Sequence, residues 1–404
     1  MMKARIPGSV FLGSVALLWG CTDPIAASPD RPEDPAGTAT VARSLAAGLT
    51  AGDVALARSS ACDNDDSLDD GETQQVKVPI TNDTDAPINA IKATLTSKQA
   101  AAKVEDPATI EIETLKPGDK ATLSYSIDLD DTLTAPTSGE FTIEVKSGDT
   151  VIATIPVLSR LEADDKPQSS ATDNFDAGIT VWKASHEAQS ADDKAELWTH
   201  VRQASALDGA FTGVDASTVS DASLTSPPLK GVAGVKVSFS HTFEFEQAAT
   251  KVDGGVIEVS TDDGATWKDI TTFGLNAIYN TPMLRGEGNA LAGRPGFSGT
   301  SATPATVTLD FGSQLDGKTF QIRFRVASDA SVGGLGWTID DVAFTGLMGM
   351  PFPTVVPDAG SCDGVDKPKI VDDGGGCQAS RTAGANAAGL LVVLGVLLRR
   401  RRRG

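Results

Sequence analysis

The chain has 404 residues, enough for two or three domains, and carries 54 Asp and Glu against 34 Lys and Arg, a formal net charge of −20. The two terminal segments hold basic residues and no acidic ones, so the remainder has 26 basic and 54 acidic residues, a net charge of −28. Because binding to nucleic-acid phosphates needs clustered Lys and Arg, this composition excludes a nucleic-acid-binding protein.

Residues 1–20 have the pattern of a secretory signal peptide of the lipoprotein type. Two basic residues lie within the first five positions, residues 10–18 are apolar but too few to span a membrane, and Gly20 precedes Cys21. The tetrad 18–21 resembles a bacterial lipobox, which implies cleavage before Cys21, acylation of its thiol and a lipid anchor in the membrane. Ordinary cleavage near Ala26 and Ala27 is the alternative.

Residues 21–60 are rich in Ala, Ser, Pro, Asp and Gly, and this composition predicts a flexible tether. From Gln75 onward apolar residues alternate with polar ones, with turn-forming residues between the runs. About seven such runs in about 100 residues predict an immunoglobulin-like β-sandwich over 61–161.

An acidic element, residues 63–72, introduces this first sandwich. It could bind calcium through carboxylate oxygens, but Gln74 stands twelfth from Asp63, where an EF-hand requires Glu, and an acidic solvated turn is the alternative. Together with residues 115–118, the stretch resembles the domain that follows the catalytic unit in many secreted bacterial metallopeptidases.

The region 162–347 predicts a second all-β domain, a jelly-roll sandwich, which begins with a charged and Pro-bearing linker at 162–170. It resembles the C-terminal β-domain of fungalysin-type and immune-inhibitor-A-type metallopeptidases, a relative of MAM-like jelly rolls. The segments that carry the resemblance are 173–176, 253–260, 297–299 and 337–342.

A calcium site is the main metal hypothesis for this second sandwich. Oxygen-only ligation favours calcium, and acidic residues occur at the beginning, middle and end of the domain, where its first and last strands could adjoin. The resemblance to MAM-like jelly rolls also supports calcium. The alternative is ordinary strand-end Asp, since adjacent residues of a regular strand face opposite sides. The candidate ligands are Asp173, Asp176, Asp253, Asp340 and Asp341.

Ser260, Asp262, Gly264 and Trp267 match the Asp-box pattern Ser-x-Asp-x-Gly-x-x-Trp. In such a segment the Asp side chain accepts turn N–H groups, and Gly provides the left-handed conformation of a tight hairpin. The motif therefore predicts a structural turn and no catalytic role.

Catalytic patterns are weak in this sequence. Its three histidines, His186, His200 and His241, stand apart, and none begins a His-Glu-x-x-His zinc motif. No Gly-x-Ser-x-Gly elbow and no phosphate-binding loop occur. Trp182 and Trp198 are the remaining candidates for ligand binding, by stacking on a sugar.

The C-terminal end carries a second address signal. Residues 348–376 predict a linker, and Cys377 is followed by a polar spacer, a 12-residue apolar run and five consecutive arginines. Residues 377–404 resemble the myxobacterial C-terminal sorting tag (MYXO-CTERM), which implies removal by a dedicated intramembrane protease and surface attachment through Cys377. A short stop-transfer anchor is the alternative.

If Cys21 and Cys377 lie at processing sites, Cys62 and Cys362 remain for a disulfide in an oxidising compartment. A pair between Cys362 and Cys377 is the alternative. No Cys-x-x-Cys spacing occurs, so zinc is not expected.

These patterns predict a non-enzymatic protein of the outer membrane or cell surface that acts as a calcium-stabilised binding, adhesion or structural module. Its expected partners are a surface or matrix protein or a polysaccharide, besides the protease that processes the tag. One alternative is an accessory substrate-recognition chain related to secreted metallopeptidases but lacking their zinc site; another is a hydrolase with an unrecognised site.

Overall fold

The computed structural model describes residues 38–39, 44–45, 48–60, 66–186, 198–246 and 251–358, except 283, 286, 287 and 302. In these ranges every regular element is a β-strand apart from two short 3-10 helices, which confirms the all-β class. No helix in the same ranges is long and apolar enough to cross a membrane. The terminal signals, Asp63 and the four cysteines Cys21, Cys62, Cys362 and Cys377 lie outside the described residues.

The first group of strands forms two packed sheets around one hydrophobic core. One sheet has the order β1-β4-β6-β10-β8, with β3 also on β6, and the other has the order β2-β12-β11-β7-β9, with β5 also on β12. The strands are β1 (Thr38–Ala39), β2 (Ser44–Leu45), β3 (Leu49–Ala51), β4 (Val54–Ser60), β5 (Ser67–Leu68), β6 (Thr73–Asn82), β7 (Ile88–Ser97), β8 (Ala102–Val104), β9 (Thr109–Leu115), β10 (Lys120–Leu129), β11 (Thr137–Ser147) and β12 (Thr150–Leu161).

Alternation of apolar and polar residues explains how these sheets pack. In β6 the side chains of Val76, Val78 and Ile80 are fully buried, while their neighbours along the strand are more exposed. Tyr125 of β10 donates its hydroxyl to the carbonyl of Ala93 in the opposite sheet, at 2.9 Å. The period-two pattern therefore predicts which face of each strand enters the core.

The composition of 21–60 predicts a flexible tether, but the structure corrects this for the part of the segment that it describes. Strands β3 and β4 both pair with β6, and the side chains of Leu49 and Val54 are buried in the first core. Strand β4 pairs with β1 on its other edge, so this part of the segment belongs to the first sheet.

The second group of strands forms a larger sandwich with its own core. Its strands are β13 (Ala163–Ser170), β14 (Thr172–Asp173), β15 (Lys183–His186), β16 (Trp198–Arg202), β17 (Gly209–Asp215), β18 (Ser220–Thr225), β19 (Leu229–Glu244), β20 (Gly254–Ser260), β21 (Lys268–Asp269), β22 (Ala305–Asp310), β23 (Thr319–Ser328), β24 (Gly334–Leu347) and β25 (Phe352–Pro357), and the 3-10 helices are Ile270–Phe273 and Asn276–Ile278.

Two layers meet in this second core. One layer has the strand order β15-β18-β23-β20-β21, and the other has the order β22-β19-β24-β17-β16. The short strand β14 also pairs with β24, along the same edge as β17. The start of β19 pairs with β23 and the rest of β19 with β22 and β24, so this 16-residue strand joins the layers. Phe324 of one layer packs against Phe239 and Trp337 of the other, with ring centroids 5.1 and 5.6 Å away.

The segments 162–170 and 348–376 predict linkers, yet their described parts form a two-stranded antiparallel sheet. Ala163 of β13 pairs with Pro357 of β25, and Ser170 pairs with Phe352. The ring of Phe352 is fully buried and stacks on Trp182 and Phe344. Because β13 is polar and lacks apolar alternation, its strand conformation depends on this distant partner and is not visible in its own sequence.

Arg160, at the end of β12, holds the beginning of β13 in place. Its guanidinium is buried, forms ion pairs with Asp66 and Asp165, and donates to the carbonyl of Ala163 at 3.0 Å. Asp165 also accepts from the backbone N–H of Ile179 at 2.9 Å. The segment between the two cores is therefore fixed by charge as well as by strand pairing.

Candidate metal centres

The five predicted calcium ligands do not form one site. Asp176, Asp340 and Asp341 interact electrostatically with each other and with Asp208, and we call these four residues the 340 cluster. Asp253 lies among other carboxylates, and we call that group the 253 cluster; its members are Asp215, Glu246, Asp253 and Asp329.

Strand β24 separates the two clusters. Asp215 pairs with Gly334 at the start of β24, whereas Asp340 lies six residues further along the strand, about 20 Å away. A single ion cannot bridge that distance, so Asp253 is not a ligand of the same ion as Asp340.

The 340 cluster draws carboxylates from three segments: the turn after β14, the turn between β16 and β17, and strand β24. One oxygen of Asp340 accepts from Gln203 at 2.9 Å, and Asp176 accepts from the backbone N–H of Gly209 at 2.9 Å. Burial, reinforced by the neighbouring carboxylates, raises the pKa of Asp340 to about 7 and raises that of Asp176. The nearby guanidinium of Arg202 opposes the rise at Asp176. Acidic groups thus lie near one another where the first and last parts of the sandwich adjoin.

A β-bulge explains how adjacent residues Asp340 and Asp341 come to serve one cluster. The register between β19 and β24 shifts between Ser238 and Ser240, and Asp341 has a φ of 50°. The N–H of Asp341 donates to the carboxylate of Asp340 at 2.6 Å. Strict alternation predicts opposite directions for the two side chains, but the bulge interrupts that alternation, as bulges near functional sites commonly do.

Asp173 is a structural residue and does not belong to the 340 cluster as defined above. Its carboxylate accepts from the N–H of Phe175 and from the indole N–H of Trp182, both at 3.0 Å, so each oxygen has a protein donor. Burial is the main reason that its pKa is raised to about 6. The side chain fixes the turn that carries Asp176.

The 253 cluster brings together the ends of four strands. Asp215 ends β17, Glu246 follows β19, Asp253 precedes β20 and Asp329 follows β23. Glu246, Asp253 and Asp329 each place one carboxylate oxygen within 4.8 Å of the others. Asp215, Glu246 and Asp329 were not among the predicted ligands, because the only signal in the sequence was an acidic residue at each strand end, which is common in so acidic a chain.

Two oxygens of the 253 cluster have no donor. Asp253 is 0% exposed and Asp215 is 2% exposed. Asp253 accepts through Oδ1 from the N–H of Asp329 at 2.7 Å, and Asp215 accepts through Oδ2 from the N–H of Glu246 at 2.9 Å. Asp253 Oδ2 and Asp215 Oδ1 have no hydrogen-bond partner among the described residues. Burial raises the pKa of both carboxyls; the charge of Asp253 adds to the rise at Asp215, and the charges of Asp329 and Glu246 add to the rise at Asp253.

Trp182 and Trp198 are core residues, which corrects their assignment as ligand-binding candidates. They are 4% and 3% exposed, Trp182 stacks on Phe352, and Trp198 donates its indole N–H to the carbonyl of Ala222 at 3.2 Å. Stacking on a sugar requires a free ring face, and neither ring has one.

The Asp-box residues form one compact turn after β20. Ser260 Oγ accepts from the N–H of Gly264 at 2.9 Å, and Asp262 accepts from the N–H and the hydroxyl of Thr266 at 2.9 and 2.6 Å. Gly264 has a φ of 81°, which favours glycine. Trp267 is half-buried and lies under the guanidinium of Arg323, 4.3 Å from the ring centroid.

Part of the acidic element 63–72 is engaged in structural contacts. Asp66 forms the ion pair with Arg160, and the N–H of Asp70 donates to Glu162 at 2.7 Å. Within the described portion, this element therefore connects the first sandwich to the segment that follows it.

The three histidines do not converge on one site. His186 is exposed at the end of β15, and the imidazole Nε2 of His200 lies 2.7 Å from the carbonyl oxygen of Phe175. His241 is buried, and its Nδ1 accepts from the indole N–H of Trp337 at 3.0 Å. Each is accounted for by its position in the fold.

No family model matches the chain, and no curated protein matches it. The K1 cleaved adhesin domain of Lys-gingipain from Porphyromonas gingivalis W83 is 16% identical, covers 43% of this chain and 96% of its own, and has a TM-score of 0.27. The tandem CBM22 domains of Paenibacillus barcinonensis Xyn10C are 11% identical. That match covers 79% of this chain and 99% of the tandem domains, with a TM-score of 0.26.

A carbohydrate-binding module of the β-sandwich superfamily is 11% identical, covers 74% of this chain and 98% of its own, and has a TM-score of 0.25. All three TM-scores are below 0.5, so these similarities carry no argument about the function of the chain.

Proposed function

We propose that the chain is a non-enzymatic binding or structural module of the cell surface whose second sandwich is stabilised by calcium at the 340 cluster. The observation that carries the proposal is that Gln203 bridges the carboxylates of Asp340 and Asp208, at 2.9 and 3.3 Å, while Asp176 and Asp341 interact electrostatically with Asp340. Burial raises the pKa of Asp340 to about 7. Carboxylates held together in this way repel each other, and a divalent cation removes the repulsion.

Calcium suits this cluster because all of its side-chain ligands are oxygens and calcium accepts about six to eight oxygen ligands in flexible geometry. Asp176, Asp208, Asp340 and Asp341 would hold the ion. The bound ion would supply positive charge that links the turn after β14 to strand β24. The ion would therefore stiffen the second sandwich where its first and last strands adjoin.

The first test is thermal unfolding of the full exported chain with calcium and with a chelator. We expect the chelator to lower the melting temperature, and Asp340→Asn to reduce the difference between the two conditions. Asp310→Asn is the matched control, since Asp310 is an exposed acid paired with Lys236 outside both clusters. An equal melting temperature with and without chelator would contradict the proposal.

The surface location is proposed from the signals at the two ends of the chain, around Cys21 and Cys377. Mass spectrometry of protein released from intact cells should find a mature form that begins at a lipidated Cys21 and ends near Cys377. Recovery of surface protein that still carries Arg403 would contradict processing of the tag.

The partner is proposed as a surface or matrix protein or a polysaccharide. We expect the exported chain to be retained on intact cells in calcium and released by chelator. If its gene adjoins one that encodes a solitary protease catalytic domain, the role of an accessory substrate-recognition chain is favoured instead. Loss of hydrolysis on replacing the histidines or the acidic clusters would be required to assign an enzyme.

A further inference from the structure

We propose that the 253 cluster is a second calcium site, formed by Asp215, Glu246, Asp253 and Asp329, and that its ion holds the loop between β23 and β24 in place. This inference does not depend on calcium at the 340 cluster, because the two groups are about 20 Å apart along β24.

The two buried oxygens without donors point to a cation. A carboxylate removed from water needs hydrogen bonds or positive charge, and native proteins rarely leave such an atom without either. Here Asp253 Oδ2 and Asp215 Oδ1 are both without donors. Glu246 and Asp329 are partly exposed, and each has a carboxylate oxygen within 4.8 Å of one of Asp253. Asp215 interacts electrostatically with Asp253, so it adds a fourth carboxylate to this all-oxygen set.

The other oxygen of each buried carboxylate is held by a backbone donor. Asp253 Oδ1 is held by the N–H of Asp329, and Asp215 Oδ2 is held by the N–H of Glu246. Asn289 donates to the carbonyls of Val252 and Ala327, at 2.7 and 2.9 Å, and to Asp253 Oδ1 at 3.4 Å, which ties the residue before Asp253 to the neighbouring strand β23. Such supporting hydrogen bonds are what orient the ligands of a metal site.

The loop after β23 is built around the same carboxylates. Ser331 donates its N–H and its hydroxyl to Asp329, at 2.8 and 2.6 Å, and its hydroxyl also contacts Glu246 at 3.2 Å. A Cβ at Gly333 would lie 2.3 Å from the carbonyl oxygen of Asp215, so only glycine allows this approach. An ion bound by Asp329 and Asp215 would therefore fix both ends of the loop.

Calcium fits better than magnesium or zinc. Four carboxylates from four separate connections make an irregular oxygen cage, whereas magnesium requires near-octahedral geometry and retains several waters. No His or Cys contributes to the set, so zinc is disfavoured. The competing explanation is that Asp215 and Asp253 share a proton and bind no ion.

The variant Asp253→Asn separates a calcium site from a shared proton. It keeps Oδ1 as the acceptor for the N–H of Asp329 and places an amide beside Asp215, so it mimics the protonated pair and preserves folding. Asp215→Asn provides a second, reciprocal variant. Asp340→Asn is the matched control in the other cluster.

The experiment is calorimetric titration of calcium into the full chain after chelator treatment. We expect two binding events in the wild type, with one lost in both Asp253→Asn and Asp215→Asn and the other lost in Asp340→Asn. If Asp253→Asn and Asp215→Asn retain every event of the wild type, the second site is overturned. If Asp340→Asn alone retains every calcium-binding event, the 253 cluster is supported as a calcium site and the calcium site proposed at the 340 cluster is contradicted.

Amide hydrogen exchange supplies a local readout of the loop. Calcium should slow exchange at Asp329, Ser331 and Gly334 in the wild type and leave these rates unchanged in Asp253→Asn. Equal exchange with and without calcium in the wild type would overturn the claim that the ion holds this loop.

Discussion

His241 is a buried titratable residue in the core of the second sandwich. Its ring packs against Phe239, Phe243 and Phe297, with ring centroids 4.7–5.4 Å away, and its Nδ1 accepts from the indole N–H of Trp337. Accepting that bond requires the neutral imidazole with its proton on Nε2. Burial lowers the pKa of His241 to about 4.

This pKa makes stability depend on pH in a defined direction. Above pH 6.5 the histidine is neutral in both states, whereas between pH 6.5 and 4 the unfolded chain binds a proton that the folded chain does not. His241 therefore contributes stability that is lost as the pH falls through this window. By pH 4 the loss amounts to about 3 kcal/mol.

His241→Gln should remove this part of the pH dependence, because an amide offers an acceptor to Trp337 but does not titrate. We expect urea unfolding of the wild type to lose more free energy of unfolding between pH 7 and pH 4.5 than the variant loses. Carboxyls with raised pKa values act in the opposite direction, so the difference between the two chains is the relevant quantity. Parallel pH profiles would contradict the assignment.

At the scale of the element, the positions of strands were more predictable than their partners. The alternation around Val76, Val78 and Ile80 is sufficient to predict β6, because all three side chains are buried in the same core. The polar strand β13 has no such signal, since its conformation is imposed by pairing with β25 nearly 200 residues later. The bulge at Asp341 is likewise set by the register of β19 against β24.

The same limit applies to the candidate sites. The predicted Asp340, Asp341 and Asp176 lie near enough to interact electrostatically, because the beginning and end of the domain adjoin, and their calcium role stays a prediction. Asp253 has different neighbours because it precedes β20, which lies in the other layer of the sandwich from β24, and the topology alone decides which strand ends lie near it. Trp182 and Trp198 were ligand-binding candidates because they belong to no recognised motif, yet both are buried in the core.

Arg160→Met tests the connection between β12 and β13. The variant keeps an apolar side chain of similar length but leaves Asp66 and Asp165 without their buried cation, so we expect a loss of about 3 kcal/mol in the free energy of unfolding. Lys98→Met is the matched control, because Lys98 and its partner Glu140 are exposed, and it should cost at most about 1 kcal/mol. Similar losses in denaturant unfolding would contradict a buried structural role for Arg160.

At the scale of the whole molecule, two hydrophobic cores occur in one chain, and each has its own buried aromatic side chains. Phe141 lies in the core of the first sandwich and Phe352 in that of the second. Replacing either by Ala removes a buried ring and should cost about 3–5 kcal/mol in the core that contains it.

Differential scanning calorimetry can measure whether the two cores unfold separately. We expect Phe141→Ala and Phe352→Ala to lower the melting temperatures of different transitions. Calcium should raise only the transition that Phe352→Ala lowers, since both acidic clusters belong to the second sandwich. A single transition that both variants shift equally would contradict independent unfolding.

The β13–β25 pair also determines how the molecule would bear mechanical force. The chain passes from the first sandwich into β13 at Glu162 and leaves β25 at Asp358, and the N–H of Asp358 donates to the carbonyl of Glu162 at 3.3 Å. A pull between the first sandwich and a C-terminal attachment would therefore act on one end of this strand pair and open its hydrogen bonds one after another. Until the pair opened, the force would bypass the second sandwich, leaving its folded surface unstrained.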